Sequence, residues 1–262
     1  DQLDYDSLRP FSHVHQRGLW HASLQGTPVI VKKPVAVREP QQMAKEFEDE
    51  AHRLQQHESV NVVRIFGHCT DESARRPLLV LERLQSWTST ISDTMLTLRD
   101  RLQLSLSACR MVAHFQEENK FCWDFQPAAF GVDSDNKVVK LLDIHALHSV
   151  KKSSSCETNA DCRPSWLSNP AFDELTELDD FSCDLNQRVC RLQDYRINVF
   201  GICHMFIEPL LRSHNPQLSS TSNRFRVALD TMLHGCLQRP QQHRWTLQTV
   251  EEELALLYSF IV

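Results

Sequence analysis

Positions 122–129 read CWDFQPAA, a run that places one acidic residue, Asp124, three residues before a proline. The segment before it, residues 98–118, repeats apolar residues on one face and predicts a long amphipathic helix. The segment after it contains two short apolar runs, residues 130–132 and 138–142, which predict two strands joined by a polar turn. The run therefore predicts a loop between a long helix and a strand pair, with Asp124 at its centre.

The first third of the chain is rich in predicted strands. Short, partly β-branched runs at residues 18–23 and 28–32 flank a Gln-Gly turn signal, and two more strand candidates lie at 60–66 and 78–84. Between the two pairs, residues 40–56 place apolar side chains at spacings of four, four and three, which predicts one helix.

The rest of the chain is mainly helical. The further helices predicted from apolar periodicity are residues 195–211, 224–237 and 246–260. The length of 262 residues suits one large domain. The sequence therefore predicts an α+β fold in a single domain, residues 1–262, with a small β-rich lobe at about residues 1–84 and a larger helical lobe at about 85–262.

Composition excludes two classes of partner. Hydrophobic residues make up 41% and charged residues 24% of the chain, the mix of a globular protein that can bury a sizeable core. The formal net charge of −6 argues against binding to a nucleic-acid backbone. No apolar run approaches the roughly 18 residues that a membrane span needs.

The cysteines divide into a cluster and a scattered set. The cluster lies in a polar, loop-rich insertion at residues 151–190 and has no C-x-x-C pair, so disulfides in an oxidising compartment are favoured over a zinc or redox site. The chain has no Asn-x-Ser/Thr glycosylation signal, which argues against secretion. The clustered cysteines are Cys156, Cys162, Cys183 and Cys190, and four cysteines allow three pairings. The scattered ones, predicted to be small buried hydrophobic residues, are Cys69, Cys109, Cys122, Cys203 and Cys236.

Two charged residues stand out in the β-rich part. Lys32 ends an apolar strand, where an edge-strand lysine is the simpler interpretation, and Glu50 lies in a predicted helix, where surface glutamates are common. Lys33 would point to the opposite face of the strand from Lys32, so at most one of the two lysines serves a site.

In chain order, Lys32, Glu50, Asp124 and Asp143 resemble the strand lysine, the helix glutamate and the two aspartates of the protein-kinase family. CWDFQPAA is similar to the family's H-R-D-x-x-P-x-N catalytic loop at the aspartate and the proline. The triplet beginning at Asp143 stands where D-F-G would, at the end of a predicted strand. The resemblance implies a two-lobed protein-kinase-like fold.

Weaker matches extend the resemblance along nearly the whole chain. In the strand at residues 78–84, Leu81 would be the gatekeeper, and backbone groups from Glu82 to Leu84 would contact an adenine. Near the C-terminus, NVFGI at residues 198–202 resembles the buried helix of the kinase C-lobe, and CLQRP with a following Arg244 resembles the family's closing signature.

The resemblance assigns a role to each charged residue. Lys32 would grip the phosphates of ATP and Glu50 would hold Lys32 in place. Asp143 would bind Mg²⁺ or Mn²⁺, because hard cations prefer carboxylate oxygen. Asp124 would accept the proton of a protein hydroxyl and aim the oxygen at the phosphoryl group.

Several kinase features are missing. The phosphate-covering loop keeps only its third glycine, Gly18, and histidines at 13 and 15 occupy the first two glycine positions. Ala129 replaces the asparagine that binds a second metal ion, and Trp123 replaces the arginine that reads a phosphorylated activation loop. His145 replaces the glycine of D-F-G and is expected to stiffen the turn. The cysteine-rich insertion takes the place of the activation segment with its A-P-E element, and Arg196 stands nearest the position of a helix aspartate.

This set of departures resembles the divergent secreted and lumenal kinases, which include the vertebrate lonesome kinase, an extracellular tyrosine kinase, and the divergent-protein-kinase-domain proteins. The likeness implies a protein substrate or binding partner and the secretory pathway, in the Golgi or endoplasmic reticulum lumen or outside the cell. Four free thiols in the insertion would instead indicate the cytoplasm. Three functions follow: a protein kinase, a pseudokinase that acts as a binding or allosteric module, and a kinase-like fold acting on a small molecule.

Overall fold

The computed structural model describes residues 3–5, 12–14, 17–35, 40–70, 77–122, 125, 127–149, 157, 183–184, 186, 188–190, 196–238 and 243–261. Within this part the protein is α+β, with strands concentrated before residue 87 and helices after it. The expectations for Trp123, Asp124, His15 and most of the insertion 151–190 fall outside the described residues.

An antiparallel sheet organises the first part of the chain. Its strand order is β1-β3-β4-β6-β5, and β2 also pairs with β3. The strands are β1 (Leu3–Tyr5), β2 (Ser12–Val14), β3 (Arg17–Leu24), β4 (Thr27–Pro34), β5 (Ile65–Cys69) and β6 (Leu78–Glu82). The predicted strands at 18–23 and 28–32 are confirmed as β3 and β4. Gln25 and Gly26 join them with φ angles of 53° and 82°, a two-residue turn with both residues in the left-handed region.

The two faces of this sheet bury different cores. One face carries a small apolar cluster made of Trp20, Ala22, Val29, Val31 and Val80. The other face, which includes Ile30, Leu79 and Leu81, joins the main core of the protein. Side chains alternate between the faces of a strand, so Lys32 follows Ile30 onto the main-core face.

Shorter strands follow the main sheet. A three-stranded sheet has the order β10-β9-β7, and two-stranded ladders pair β11 with β8 and β12 with β13. The strands are β7 (Gln85–Ser86), β8 (Lys120–Cys122), β9 (Phe130–Asp133), β10 (Val138–Leu141), β11 (Leu147–Ser149), β12 (Cys183–Asp184) and β13 (Val189–Cys190). The predicted strand pair around residues 130 and 140 is therefore confirmed.

The helices pack against the main core, α1 beside the main sheet and the others in the second part of the chain. They are α1 (Pro40–Gln56), α2 (Trp87–Ile91), α3 (Leu98–Glu117), α4 (Arg196–Ile202), α5 (Asn223–Cys236) and α6 (Leu247–Ser259). A capping box between Thr97 and Asp100 starts α3, which satisfies backbone groups at its first turn. No helix of the described residues is both long enough and apolar enough to cross a bilayer.

The predicted helix at 195–211 is α-helical only in its first part. After α4, the chain continues as two π-helical segments, Cys203–Ile207 and Pro209–Ser213. Pro209 has no N–H to donate, and its ring would clash with the carbonyl four residues earlier in α geometry. Pro209 accordingly stands at the first position of the second segment.

The predicted strand at 60–66 is wrong in its bounds, because β5 begins only at Ile65. The residues just before β5 pair with a different strand: Val62 forms an isolated parallel bridge to Leu141 of β10. The hydrogen bond from Val63 N–H to the Leu141 carbonyl, at 2.9 Å, draws this segment away from the main sheet.

The prediction that the scattered cysteines are small buried residues is confirmed for Cys109, Cys122, Cys203 and Cys236 and is wrong for Cys69. Cys203 and Cys236 form a disulfide that ties the π-helical segment to the end of α5, with their Cα atoms 6.3 Å apart. Cys109 and Cys122 are buried thiols as expected, whereas Cys69 is exposed. Burial raises the pKa of the Cys109 thiol, which keeps it protonated and unreactive. In the insertion, Cys183 is disulfide-bonded.

Candidate functional site

The site begins with a buried ion pair between strand β4 and helix α1. The Lys32 Nζ donates a hydrogen bond to Glu50 Oε1 at 2.5 Å. Glu50 is fully buried and Lys32 is only 7% exposed. The sequence predicted this pairing, and the edge-strand and helix-surface alternatives for these residues are wrong because both side chains face the core.

The pair forms because two amphipathic elements face each other. Glu50 lies on the side of α1 that also buries Phe47, Ala51 and Leu54, so its carboxylate enters the core with them. Lys33 lies on the opposite face of β4, where its Nζ sits 4.5 Å from the centre of the Trp20 ring. Only Lys32 therefore reaches the site, as the alternation of the strand requires.

Asp143 comes directly after β10 and starts a tight turn. One of its carboxylate oxygens accepts a hydrogen bond from the His145 backbone N–H at 3.1 Å, which caps the 3-10 helix Ile144–Ala146. The Ala129 carbonyl accepts hydrogen bonds from the backbone N–H groups of Leu142, at 2.7 Å, and of Asp143, at 3.4 Å. These bonds fix the backbone from which the Asp143 carboxylate projects.

The turn brings a third side chain to the pair. Ligand atoms of Glu50, Asp143 and His145 all lie within 4.8 Å of one another. The His145 Nε2 is 3.9 Å from Glu50 Oε2, the carboxylate oxygen that Lys32 does not bind. The sequence assigned His145 only a role in stiffening the turn, so its place beside Glu50 is new. The one available signal was a histidine two residues after a predicted metal-binding aspartate.

Hydrogen bonds hold strand β10 against the segment that follows α1. The Asn61 side-chain amide donates to the Val139 carbonyl at 3.1 Å, and the Asn61 carbonyl accepts from Leu141 N–H at 2.8 Å. On the other side, Val139 N–H donates to the Ser107 hydroxyl of α3 at 2.9 Å. The position of Asp143 is thereby coupled to α1, which carries Glu50.

Two aromatic side chains pack together beside the predicted catalytic loop. The Phe125 side chain is buried, and its ring stacks on Phe130 with centroids 6.0 Å apart. A Cβ added to Gly201 would lie only 2.5 Å from the Phe125 ring, so glycine is required at that position of α4. Asp124 itself is outside the described residues, and its role stays a prediction.

The predicted hinge is anchored by an ion pair. Leu81 is buried opposite Ile30 in the sheet register. The Glu82 carboxylate binds Lys140 Nζ at 2.6 and 2.8 Å and accepts the Arg64 backbone N–H at 3.1 Å. These contacts occupy the Glu82 side chain and tie β6 to β10. The backbone contacts to an adenine stay a prediction.

The structure also describes Gly18 and Leu84, two other predicted nucleotide contacts. Gly18 is buried in β3 opposite His13 of β2, so the histidine-bearing segment does form a hairpin with the glycine strand. Leu84 packs against β9, and a Cβ on Gly131 would meet it at 2.9 Å.

The C-terminal signature residues serve packing. The Arg244 Nε donates to the Gln238 carbonyl at 2.9 Å, and the guanidinium lies 5.2 Å from the Phe200 ring centre. Arg196, which stands nearest the position of the family's helix aspartate, begins α4.

Comparison with known proteins gives no family assignment. No protein-family model matches the chain, and no curated protein sequence matches it.

Proposed function

We propose that this chain is a divergent protein-kinase-like domain with two lobes, which binds ATP with a divalent cation and transfers phosphate to a protein hydroxyl. The observation that carries the proposal is the buried Lys32–Glu50 pair at 2.5 Å, with the Asp143 carboxylate within 4.8 Å of a Glu50 oxygen. Burying a lysine and a glutamate together is costly, so a bare structural role is a weak explanation for the pair.

The chemistry of the cluster fits a phosphate group and its cation. The Lys32 ammonium is a fixed positive charge whose position Glu50 sets, as gripping a phosphate requires. The Asp143 carboxylate accepts one backbone hydrogen bond and keeps further acceptor capacity, so it can ligate a hard cation such as Mg²⁺ or Mn²⁺. When bound, that cation would neutralise charge on the transferring phosphoryl group.

The remaining roles rest on the sequence resemblance. Asp124 would accept the hydroxyl proton, and backbone groups from Glu82 to Leu84 would contact the adenine. Leu81 would close the back of the adenine site, and Gly18 would lie under the phosphate-covering loop.

One observation favours a second function, that of a pseudokinase acting as a binding or allosteric module. The side chain of Ala129 is a methyl group, which offers no ligand atom for a second metal ion. Its backbone carbonyl already accepts hydrogen bonds from the N–H groups of Leu142 and Asp143. A nucleotide would then be bound without phosphate transfer.

We also propose a compartment for this activity. The Cys203–Cys236 bond and the disulfide-bonded Cys183 fit an oxidising environment, since disulfides rarely persist in the cytosol. With the resemblance to secreted and lumenal kinases, this supports the secretory pathway and a protein substrate or partner there.

The proposal predicts nucleotide binding that depends on both charged elements. ATP with Mg²⁺ or Mn²⁺ should raise the thermal unfolding temperature of the wild-type protein, because a ligand at a hundred times its dissociation constant adds roughly 2.7 kcal/mol. Lys32→Ala and Asp143→Ala should each abolish the shift. Lys33→Ala, on the opposite face of β4, is the matched control and should keep it.

The same melting experiment can contradict the proposal. A wild-type protein that shows no shift at millimolar ATP with either cation would remove the nucleotide site. A shift that persists in both Lys32→Ala and Asp143→Ala would place the nucleotide elsewhere.

A further inference from the structure

His145, the third residue of the triplet that begins at Asp143, changes the chemistry of the cation site. His145 offers an imidazole nitrogen where glycine would offer nothing, and that nitrogen faces the cluster, 3.9 Å from Glu50 Oε2. Glu50 is fully buried, whereas Asp143 and His145 are partly exposed.

The Glu50 carboxylate can serve two partners at once. Its Oε1 accepts from the Lys32 ammonium at 2.5 Å, while Oε2 is the oxygen near His145. The formal charges of Lys32, Glu50 and Asp143 sum to about −1 with His145 neutral, which favours a cation. A bound divalent ion would therefore not require Glu50 to release Lys32.

The spacing of the ligand atoms is close to that of a metal site. Ligands at about 2.0–2.2 Å from a metal ion lie roughly 3.0–3.5 Å from one another in tetrahedral or octahedral geometry. The observed 3.9 Å between His145 Nε2 and Glu50 Oε2, and the limit of 4.8 Å for the whole set of three ligand atoms, are wider than this, so the ligands must draw together by about 1 Å around an ion.

We infer that Glu50, Asp143 and His145 form a three-ligand site for a divalent transition metal ion, of the Zn²⁺ or Mn²⁺ type, in the absence of nucleotide. One imidazole nitrogen with two carboxylate oxygens is a ligand set that these ions accept and that Mg²⁺ does not favour. Three protein ligands with one open position is the arrangement of catalytic zinc sites. That this ion also meets the phosphates of ATP rests on the proposed function, whereas the site itself rests on the geometry.

Calorimetric titration of the full chain with Zn²⁺, Mn²⁺ and Mg²⁺, without nucleotide, tests the inference. We expect Zn²⁺ and Mn²⁺ to bind with one ion per chain, and Mg²⁺ to bind at least tenfold more weakly than either. His145→Ala should weaken Zn²⁺ binding by at least about tenfold, the low end of the loss caused by removing even an outer-shell partner of a metal site. Asp143→Asn should weaken it as well. His52→Ala is the matched control, because His52 is an exposed histidine on the same helix as Glu50. This variant should bind Zn²⁺ as tightly as the wild type does.

The outcomes separate this inference from the proposed function. Zn²⁺ binding that is absent, or that His145→Ala leaves unchanged, overturns the metal site, and a surviving ATP·Mg²⁺ melting shift would leave the nucleotide proposal intact. Zn²⁺ binding lost in His145→Ala, without any ATP shift, supports the metal site and overturns the nucleotide proposal. Melting each variant without metal or nucleotide shows whether it is folded, and Asp143→Asn decides the question if His145→Ala is not.

Discussion

Glu50→Ala is expected to lower the free energy of unfolding by about 3–5 kcal/mol, because it leaves the Lys32 ammonium buried without a counter-charge. Lys32 is only 7% exposed, so water cannot replace the lost carboxylate without a local rearrangement. The same substitution should abolish the melting shift with ATP, since the lysine is then no longer held in position. Urea unfolding of the purified variant measures the first effect.

A double-mutant cycle separates the ion pair from ordinary loss of packing. Lys32→Met combined with Glu50→Leu replaces both charges by apolar side chains, which is often neutral or stabilising for a buried pair. The double variant should therefore lose less stability than the sum of the losses of Lys32→Met alone and Glu50→Leu alone. We expect a coupling free energy of about 1–3 kcal/mol. Additive effects, or a loss below about 1 kcal/mol for Glu50→Ala, would contradict the account of a buried pair.

Arg101→Met is expected to be comparably damaging, through a different mechanism. The Arg101 side chain is fully buried in α3, and its guanidinium donates hydrogen bonds to three backbone carbonyls. The acceptors and distances are Asp93 at 2.7 Å, Leu210 at 3.1 Å and Leu96 at 3.4 Å. Burial lowers the pKa of this guanidinium, and the charge of Asp93 opposes that shift.

The loss of stability in Arg101→Met follows from the three backbone carbonyls that lose their hydrogen-bond donor. Each buried polar group that loses its partner costs roughly 1–3 kcal/mol, so we expect a loss of about 3–5 kcal/mol in a urea titration. Arg110→Met is the control on the same helix, because its side chain is 69% exposed and its contact with Glu251 is long, at 3.6 Å. It should change stability by less than about 0.5 kcal/mol. Equal effects of the two substitutions would show that the carbonyl contacts of Arg101 do not support the fold.

Short-range sequence patterns predicted the helices and turns whose form depends on neighbouring residues. The bounds of α1 match the predicted helix 40–56, because its apolar spacing and its buried face coincide. The β3–β4 hairpin was predictable from the Gln25-Gly26 pair, since Gly26 readily adopts the positive φ that such a turn needs. The Lys32–Glu50 pair was predictable only from the order of several residues along the chain, because each alone had a simpler interpretation.

The features that sequence did not predict depend on contacts between distant segments. The disulfide of Cys203 and Cys236 joins residues 33 apart, and nothing in either segment distinguishes them from buried thiols. The predicted strand at 60–66 began too early because Val62 and Val63 pair with Leu141 of β10, a segment far along the chain, and not with the main sheet. His145 was missed because its approach to Glu50 depends on the 3-10 turn that Asp143 caps.

Phosphate transfer from labelled ATP is the decisive measurement for the proposed kinase activity. Purified protein would be incubated with ATP, Mg²⁺ or Mn²⁺ and a mixture of lumenal proteins, beside Asp124→Asn, which should keep the ATP melting shift and so control for folding and binding. We expect label on protein hydroxyls with the wild type and its loss with Asp124→Asn, because the base that accepts the hydroxyl proton is removed. Transfer that Asp124→Asn leaves unchanged would contradict the assigned site, and ATP binding without any transfer would make the protein a pseudokinase.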